Sequence, residues 1–143
     1  MAFGVSVARG GRVHGLDQQW GQQQLVLFNV GAGWCQPCIE ESETLDADIF
    51  RPFCQRGLRV VQVVYQDEDS APATSLFCTN WRERFSLSFP VLKDPLFITQ
   101  TYFQDPSSQT PLSLLVDNDG VIRFREVGTP SGDLNTRIDN MLP

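Results

Sequence analysis

The stretch Leu25-Val-Leu-Phe-Asn-Val-Gly-Ala-Gly-Trp-Cys-Gln-Pro-Cys-Ile-Glu-Glu41 decides how this chain is read. Its apolar run, Leu25 to Val30, has the length and composition of a buried strand. Gly31 and Gly33 interrupt the run, and Cys35 and Cys38 follow with two residues between them. From Gln36 to about Phe50 the pattern turns helical. Cys38, Ser42, Leu45, Ile49 and Phe53 recur at three- and four-residue spacing and predict an inner stripe. The cysteine pair therefore falls where a strand ends and a helix begins. Unpaired backbone N–H groups and the helix macrodipole favour an anion at that point, and the thiolate is the attacking species in disulfide exchange. Cys35 reads as that nucleophile. Cys38, one turn later, is placed to attack the mixed disulfide and release the product. Pro37 suits an early helical position, where a missing N–H costs little. Trp34 offers an apolar surface to a partner chain.

Two other readings of the pair compete. A zinc site needs four ligands, and the sequence holds no second Cys-x-x-Cys and a single histidine, His14. A structural disulfide across two residues closes so small a loop that it constrains the unfolded chain little. A Cys-x-x-Cys in a strand–helix–strand setting favours redox chemistry.

Outward from the pair, Pro52 is expected to end or kink the helix, and Gly57 closes the segment. Leu58 to Tyr65 is rich in β-branched residues and predicts a second strand. After the polar loop Gln66-Asp-Glu-Asp-Ser70, a helix is predicted from Thr74 to Phe85 with Leu76, Phe77, Trp81 and Phe85 inward. Pro90 opens an irregular stretch, and Ile98 to Phe103 predicts a helical turn or two. Leu112–Val116 and Val121–Val127 read as strands joined by Asp117-Asn-Asp-Gly120, a hairpin signal because Asn and Gly accept positive φ. Leu134, Ile138, Met141 and Leu142 predict a closing helix, and Val5–Val7 with Arg12–His14 predict a small N-terminal β-hairpin extension around Gly10-Gly11. No repeat, linker or low-complexity segment is visible, so residues 1–143 are expected to form one domain. The expected fold is α/β. A parallel, right-handed βαβ unit is joined by an antiparallel hairpin in a mixed central sheet, with helices on both faces.

These residues resemble the thioredoxin superfamily, and within it the TlpA/ResA-like thiol-disulfide oxidoreductases, or redoxins. The resemblance rests on Trp34-Cys-Gln-Pro-Cys38 after an apolar strand, on Phe89-Pro-Val-Leu-Lys-Asp94, and on Thr110-Pro-Leu-Ser-Leu-Leu-Val-Asp-Asn-Asp-Gly120. It implies a thioredoxin-like fold and a cis peptide before Pro111, packed against the cysteines, with Thr110 left to pair with an extended substrate strand. Asn29 stands where thioredoxins proper carry a buried acid. In ResA-like proteins a glutamate three residues past the second cysteine takes a comparable part, which points to Glu41 as an aid to proton transfer at Cys38; the alternative is a solvated helix face, since Glu40 and Glu43 are also acidic. These carboxylates should raise thiol pKa values against the helix dipole. The chain departs from the family in Glu43, where a proline is usual. It departs again in the lead-in Val30-Gly-Ala-Gly33, expected to be smaller and more flexible than the family's Phe-Trp-Ala-Thr. Cys54 and Cys78 are expected on helices covering opposite sheet faces, as free buried cysteines.

Composition narrows the function further. Seventeen acidic against eleven basic residues give a net charge of -6, which works against nucleic-acid or anionic-membrane binding. No apolar run reaches the length of a membrane span. The expected function is exchange of the Cys35–Cys38 dithiol/disulfide with protein thiols and disulfides, as a reductant fed by an upstream electron donor. The chain is expected to be monomeric and to need no metal, flavin or nucleotide. A peroxiredoxin-like peroxidase is an alternative, but its Thr-x-x-Cys site is not supplied by Gly31-Ala-Gly-Trp-Cys35. A non-enzymatic copper- or partner-binding module is another, though copper carriers of this fold use a distal histidine and His14 precedes the cysteines. The first residues lack the basic start and apolar core of a secretory leader. The family is mostly exported, so an extracytoplasmic domain without its leader is expected, with a cytoplasmic chain as the alternative.

Overall fold

The computed structural model describes residues 25–104, 109–129 and 132–143. The expected N-terminal hairpin and His14 lie outside the described residues. Five strands, β1 (Leu25–Gly31), β2 (Leu58–Val64), β3 (Val91–Lys93), β4 (Leu112–Asp117) and β5 (Ile122–Val127), form one sheet in the order β3-β2-β1-β4-β5. β1 runs parallel to β2 and antiparallel to β4, so the sheet is mixed, as the strand–helix–strand unit followed by a hairpin requires. The hairpin turns at Gly120 (φ +81°), with Asp117 Oδ1 accepting from the N–H groups of Asp119 and Val121. β3 is a strand where an irregular stretch was expected. Three residues pair in parallel with Gln62–Val64 directly after Pro90, a pairing that no local pattern so short can announce.

The alternating pleat sorts the side chains into two layers. On one face Leu25, Leu27, Leu58, Val60 and Leu115 pack against Leu45, Ile49 and Phe53, against Trp81, and against Leu134 and Ile138. These contacts seat α1 (Gln36–Leu45), α2 (Ser75–Arg84) and α3 (Asp133–Met141) on that face. On the other face Val26, Phe28, Val30, Val61, Val63, Leu112 and Leu114 meet Phe103, with Phe97 and Tyr102 packed alongside. The short 3-10 turn Ile98–Tyr102 covers that side. A fully buried aliphatic side chain contributes about 1.5–3 kcal/mol, so these two layers carry most of the driving force for folding.

Three local expectations are corrected. The first helical segment does not stop at Pro52; it continues through a π turn, Asp46–Phe50, and the short helix Arg51–Phe53. Arg51 N–H reaches back five residues to the Asp46 carbonyl. The Asp48 carbonyl, which the missing Pro52 N–H cannot serve, accepts from Asn135 Nδ2 of α3 at 3.0 Å. In α2, capped by Thr74 Oγ1 accepting from Phe77 N–H, the buried residues are Cys78 and Trp81, and Leu76 points outward with 69% exposure. The inner stripe is narrower than the count of apolar residues suggested. Finally, α2 lies on the same sheet face as α1, so Cys54 and Cys78 do not occupy opposite faces. Both are free thiols, and Cys54 is only half-buried. Burial pushes the Cys78 thiol up to about 11, opposed by Lys93.

Candidate active site

β1 ends at Gly31 and α1 begins at Gln36, which sets Cys35 as the N-cap. Its Sγ accepts the Cys38 backbone N–H at 3.2 Å, so one of the orphan donors of the helix start is satisfied by sulfur. Cys35 and Cys38 are joined by a disulfide with Cα atoms 5.2 Å apart. Both are buried, and Pro37 occupies the first turn of the helix, as expected. The Thr110–Pro111 peptide is cis. β1 and β4 pair Val30 with Leu112, and the register, continued by one residue, brings Pro111 level with Gly31 beside the cysteines.

The glycines of the lead-in are not a flexible hinge. A Cβ on Gly31 would lie 2.9 Å from Cys38 Sγ. A Cβ on Gly33 would lie 2.6 Å from Phe77 Cζ and 2.7 Å from the backbone of Asp67 and Glu68. The lead-in is small because the disulfide and the loop after β2 press against it. Gly33 N–H donates to the Gln66 carbonyl at 2.8 Å, and Tyr65 N–H to the Gly31 carbonyl at 3.2 Å, which lock it in place.

An aromatic wall flanks the pair. Trp34 is 46% exposed, donates its indole N–H to Gln66 Oε1 and meets Tyr65 edge-on. Tyr65 stacks on Phe97 with ring centroids 3.7 Å apart, and Phe97 meets Phe103 edge-on. Burial holds the Tyr65 hydroxyl above the usual tyrosine range, while its hydrogen bond with Thr110 pulls the other way. Phe97 adopts a left-handed backbone (φ +50°). The buried Asp94 secures that turn: its carboxylate accepts from Ile98 N–H, Thr99 N–H and Thr99 Oγ1 at 2.6 to 2.9 Å.

Behind the cysteines lies a buried polar chain. Trp81 Nε1 donates to Gln62 Oε1 at 2.8 Å, and Gln62 Nε2 donates to Asn29 Oδ1 at 2.9 Å and to Ser42 Oγ at 2.8 Å. Asn29 Nδ2 donates to Glu41 Oε1 at 2.8 Å, and Ser42 Oγ donates to the Cys38 carbonyl at 2.8 Å. Glu41 is thus not on a solvated face; Glu40 and Glu43 are exposed, but Glu41 turns toward β1 one helical turn below Cys38. Burial pushes its carboxyl up to about 7, the Asn29 hydrogen bond pulls down, and the charge of Glu126 on β5 adds to the rise.

The site residues expected from the sequence gather at one end of the sheet: Trp34, Cys35, Pro37, Cys38 and Glu41 from the β1–α1 junction, Thr110 and Pro111 from the segment that leads into β4. The polar loop after β2 is a self-capped turn, with Asp67 Oδ1 accepting from Asp69 and Ala71 N–H. Sequence reading placed Ser42 and Trp81 inward only as packing residues and did not single out Gln62 or Ser113. The available signal was a glutamine among the β-branched residues of a strand otherwise read as core. Such a residue needs buried partners.

Comparison with known proteins agrees with this geometry. The chain is 30% identical over 120 residues to the thiol:disulfide interchange protein DsbE of Yersinia pestis, a match covering 79% of this chain and 52% of that protein. It thus spans about half the length of that curated relative. Among solved structures, StoA from Bacillus subtilis superposes with a TM-score of 0.61 at 16% identity, covering 82% of this chain and 84% of that one. A secreted Mycobacterium tuberculosis disulfide oxidoreductase homologous to Escherichia coli DsbE gives a TM-score of 0.62 at 14% identity, covering 84% of each chain. These two superpositions establish a thioredoxin-like fold. The model of the AhpC/TSA family matches residues 3–125, and the chain belongs to that family.

Proposed function

We infer that this chain is a thiol-disulfide oxidoreductase that exchanges its Cys35–Cys38 pair with cysteines of protein substrates, acting as a reductant. The observation that carries this reading is the disulfide at the start of α1, with Cys35 Sγ accepting the Cys38 N–H and the cis Thr110–Pro111 bond alongside. In the reducing direction the Cys35 thiolate attacks a substrate disulfide. A mixed disulfide forms and one substrate sulfur leaves as a thiolate. Cys38 then gives its proton to the Glu41 carboxylate and attacks Cys35 Sγ. The internal disulfide closes, the second substrate sulfur departs, and two electrons have passed to the substrate. Trp34 and Pro37 are the exposed residues on which the substrate chain lies, and Thr110 and Pro111, buried beside the pair, underlie that contact. An upstream dithiol donor restores the pair.

The reducing direction is supported by the carboxyl of Glu41, because an oxidant must stabilise its thiolate and a neighbouring carboxylate does the reverse. Likeness to DsbE and to a secreted oxidoreductase supports an extracytoplasmic setting. Among the described residues no helix is long and apolar enough to cross a membrane.

Equilibration in defined glutathione buffers tests the direction. A potential in the range of thioredoxins and glutaredoxins, about −200 to −270 mV, is expected; one near the −120 mV or so of a strong oxidant would reverse the assignment. The Cys38→Ser variant should accumulate mixed disulfides through Cys35 and lose insulin reduction. Retention of insulin reduction by Cys35→Ser would overturn the reading altogether. Rapid peroxide turnover that leaves disulfides untouched would favour the peroxidase alternative.

A further inference from the structure

The polar chain under the cysteines continues across the sheet. β-Sheet register places Gln62 opposite Asn29, Asn29 opposite Ser113, and Ser113 opposite Glu126. The pleat turns all four toward the face that α1 covers, since their neighbours two residues along, Val60, Leu27, Leu115 and Phe124, pack into that core. The row therefore runs from the buried centre of the sheet to β5 at its edge, where Glu126 is half-exposed. Among the described residues, two buried oxygens of this assembly have no hydrogen-bond partner: Glu41 Oε2 and Ser113 Oγ. Glu41 sits over Asn29 through its other oxygen, and Ser113 is the cross-strand neighbour of Asn29. A carboxyl oxygen and a hydroxyl, both buried, unmatched and each adjoining Asn29, are the kind of partners a bridging water requires.

We propose that Glu41, a water bound between its Oε2 and Ser113 Oγ, and Glu126 form a proton relay that carries the proton of Cys38 from the buried site to solvent at the sheet edge. This rests on the reading of Glu41 as the proton acceptor of Cys38. When Cys38 attacks the mixed disulfide its proton passes to the Glu41 carboxylate. The carboxyl then gives a proton to the water, the water gives one to the Glu126 carboxylate, and Glu126 releases it to solvent. No electron moves along the row; the redox change stays with the sulfurs. Glu126 is a positioning and relay residue and touches no substrate. Among the described residues, Glu126 on β5 is the titratable group that acts on Glu41 by charge, and Cys38, one turn earlier on the same helix, is tied in the disulfide here. Asn29, Gln62 and Ser113, which the strands present, do not titrate.

The test compares wild type with Glu126→Gln, Ser113→Ala and Glu41→Gln. The first readout is the titration of the Glu41 carboxyl, followed by carbon-detected NMR in the oxidised protein, where the cysteines do not titrate. Glu126→Gln should lower its midpoint by about half a pH unit, roughly threefold in the protonation equilibrium, by removing a like charge. The second is the rate at which Cys38 resolves a preformed mixed disulfide, measured against pH by rapid mixing. Glu126→Gln and Ser113→Ala should each slow it several-fold near neutral pH, and neither should slow it further in the Glu41→Gln background. Equal slowing with and without Glu41 would overturn the relay, as would an unmoved Glu41 midpoint. If Glu41→Gln itself leaves the pH profile unchanged, Glu41 is not the acceptor and the reading beneath the relay fails with it. If Glu41→Gln acts while Glu126→Gln and Ser113→Ala are silent, only the relay is lost. Should Ser113→Ala not fold, Glu126→Gln, on a half-exposed edge position, suffices to decide.

Discussion

Replacing Glu41 by glutamine should make the oxidised protein more stable at neutral pH and leave it unchanged in acid. The folded carboxyl titrates at about 7 against an ordinary value of 4.5. Below pH 4.5 the group is protonated in both folded and unfolded chains and contributes no difference. As pH rises toward 7, the unfolded chain loses this proton while the folded chain keeps it, and stability drains away. Above 7 the folded chain carries a charge that burial opposes. Each pH unit between the two values is worth about 1.4 kcal/mol, so the full separation corresponds to about 3 kcal/mol, or about 2–3 once some water reaches the charge. Glutamine can still accept from Asn29 Nδ2 but has no proton to lose. Urea unfolding of the oxidised proteins at intervals between pH 4.5 and 8 checks this, since the cysteines are then silent. The two midpoints should coincide at the acid end and separate by about 1–2 M urea at the alkaline end, with Glu41→Gln the higher, for slopes usual in a domain of this size. A separation that stays constant with pH would refute the argument, because a purely structural effect of the substitution has no reason to titrate. A carboxyl held at such a cost in stability is what a site selected for chemistry would retain.

Other perturbations follow from the packing. Gly33→Ala should destabilise by more than about 2 kcal/mol, because its new methyl meets backbone at 2.7 Å that cannot swing aside as a side chain could; thermal unfolding checks this, and a neutral variant would mean that the loop after β2 yields. Trp81→Phe orphans Gln62 Oε1 and should cost about 1–3 kcal/mol. A double-mutant cycle with Gln62→Leu should show coupling of about 1 kcal/mol or more, and strict additivity would mean the two do not share a hydrogen bond that matters. Asp94→Ala removes three hydrogen bonds that hold the left-handed turn at Phe97 and should cost about 2–4 kcal/mol. It should also lower the near-ultraviolet circular dichroism of the Tyr65–Phe97 stack; an unchanged spectrum would show that the stack holds without that turn.

Much of this protein was legible one segment at a time. The apolar run before Gly31, the helical stripe from Cys38 to Phe53, the β-branched strand at Leu58 and the Asp-Asn-Asp-Gly hairpin are local signals, each set by the burial period or turn chemistry of adjacent residues. The cysteine pair was equally plain, because a strand end followed by a helix start needs only neighbours in sequence. What only the tertiary structure decided involves residues far apart in the chain. Pro52 passes through the helix because Asn135, on another helix, serves the carbonyl that proline strands. Gly31 and Gly33 are fixed in place because Cys38 and the loop after β2 press against them. Glu41 left the solvated face because Asn29 holds it, and Asn29 is held in turn by Gln62 on the neighbouring strand. A buried polar side chain is tolerated only where its partners converge, and that convergence is a property of strand register, which no window of sequence contains.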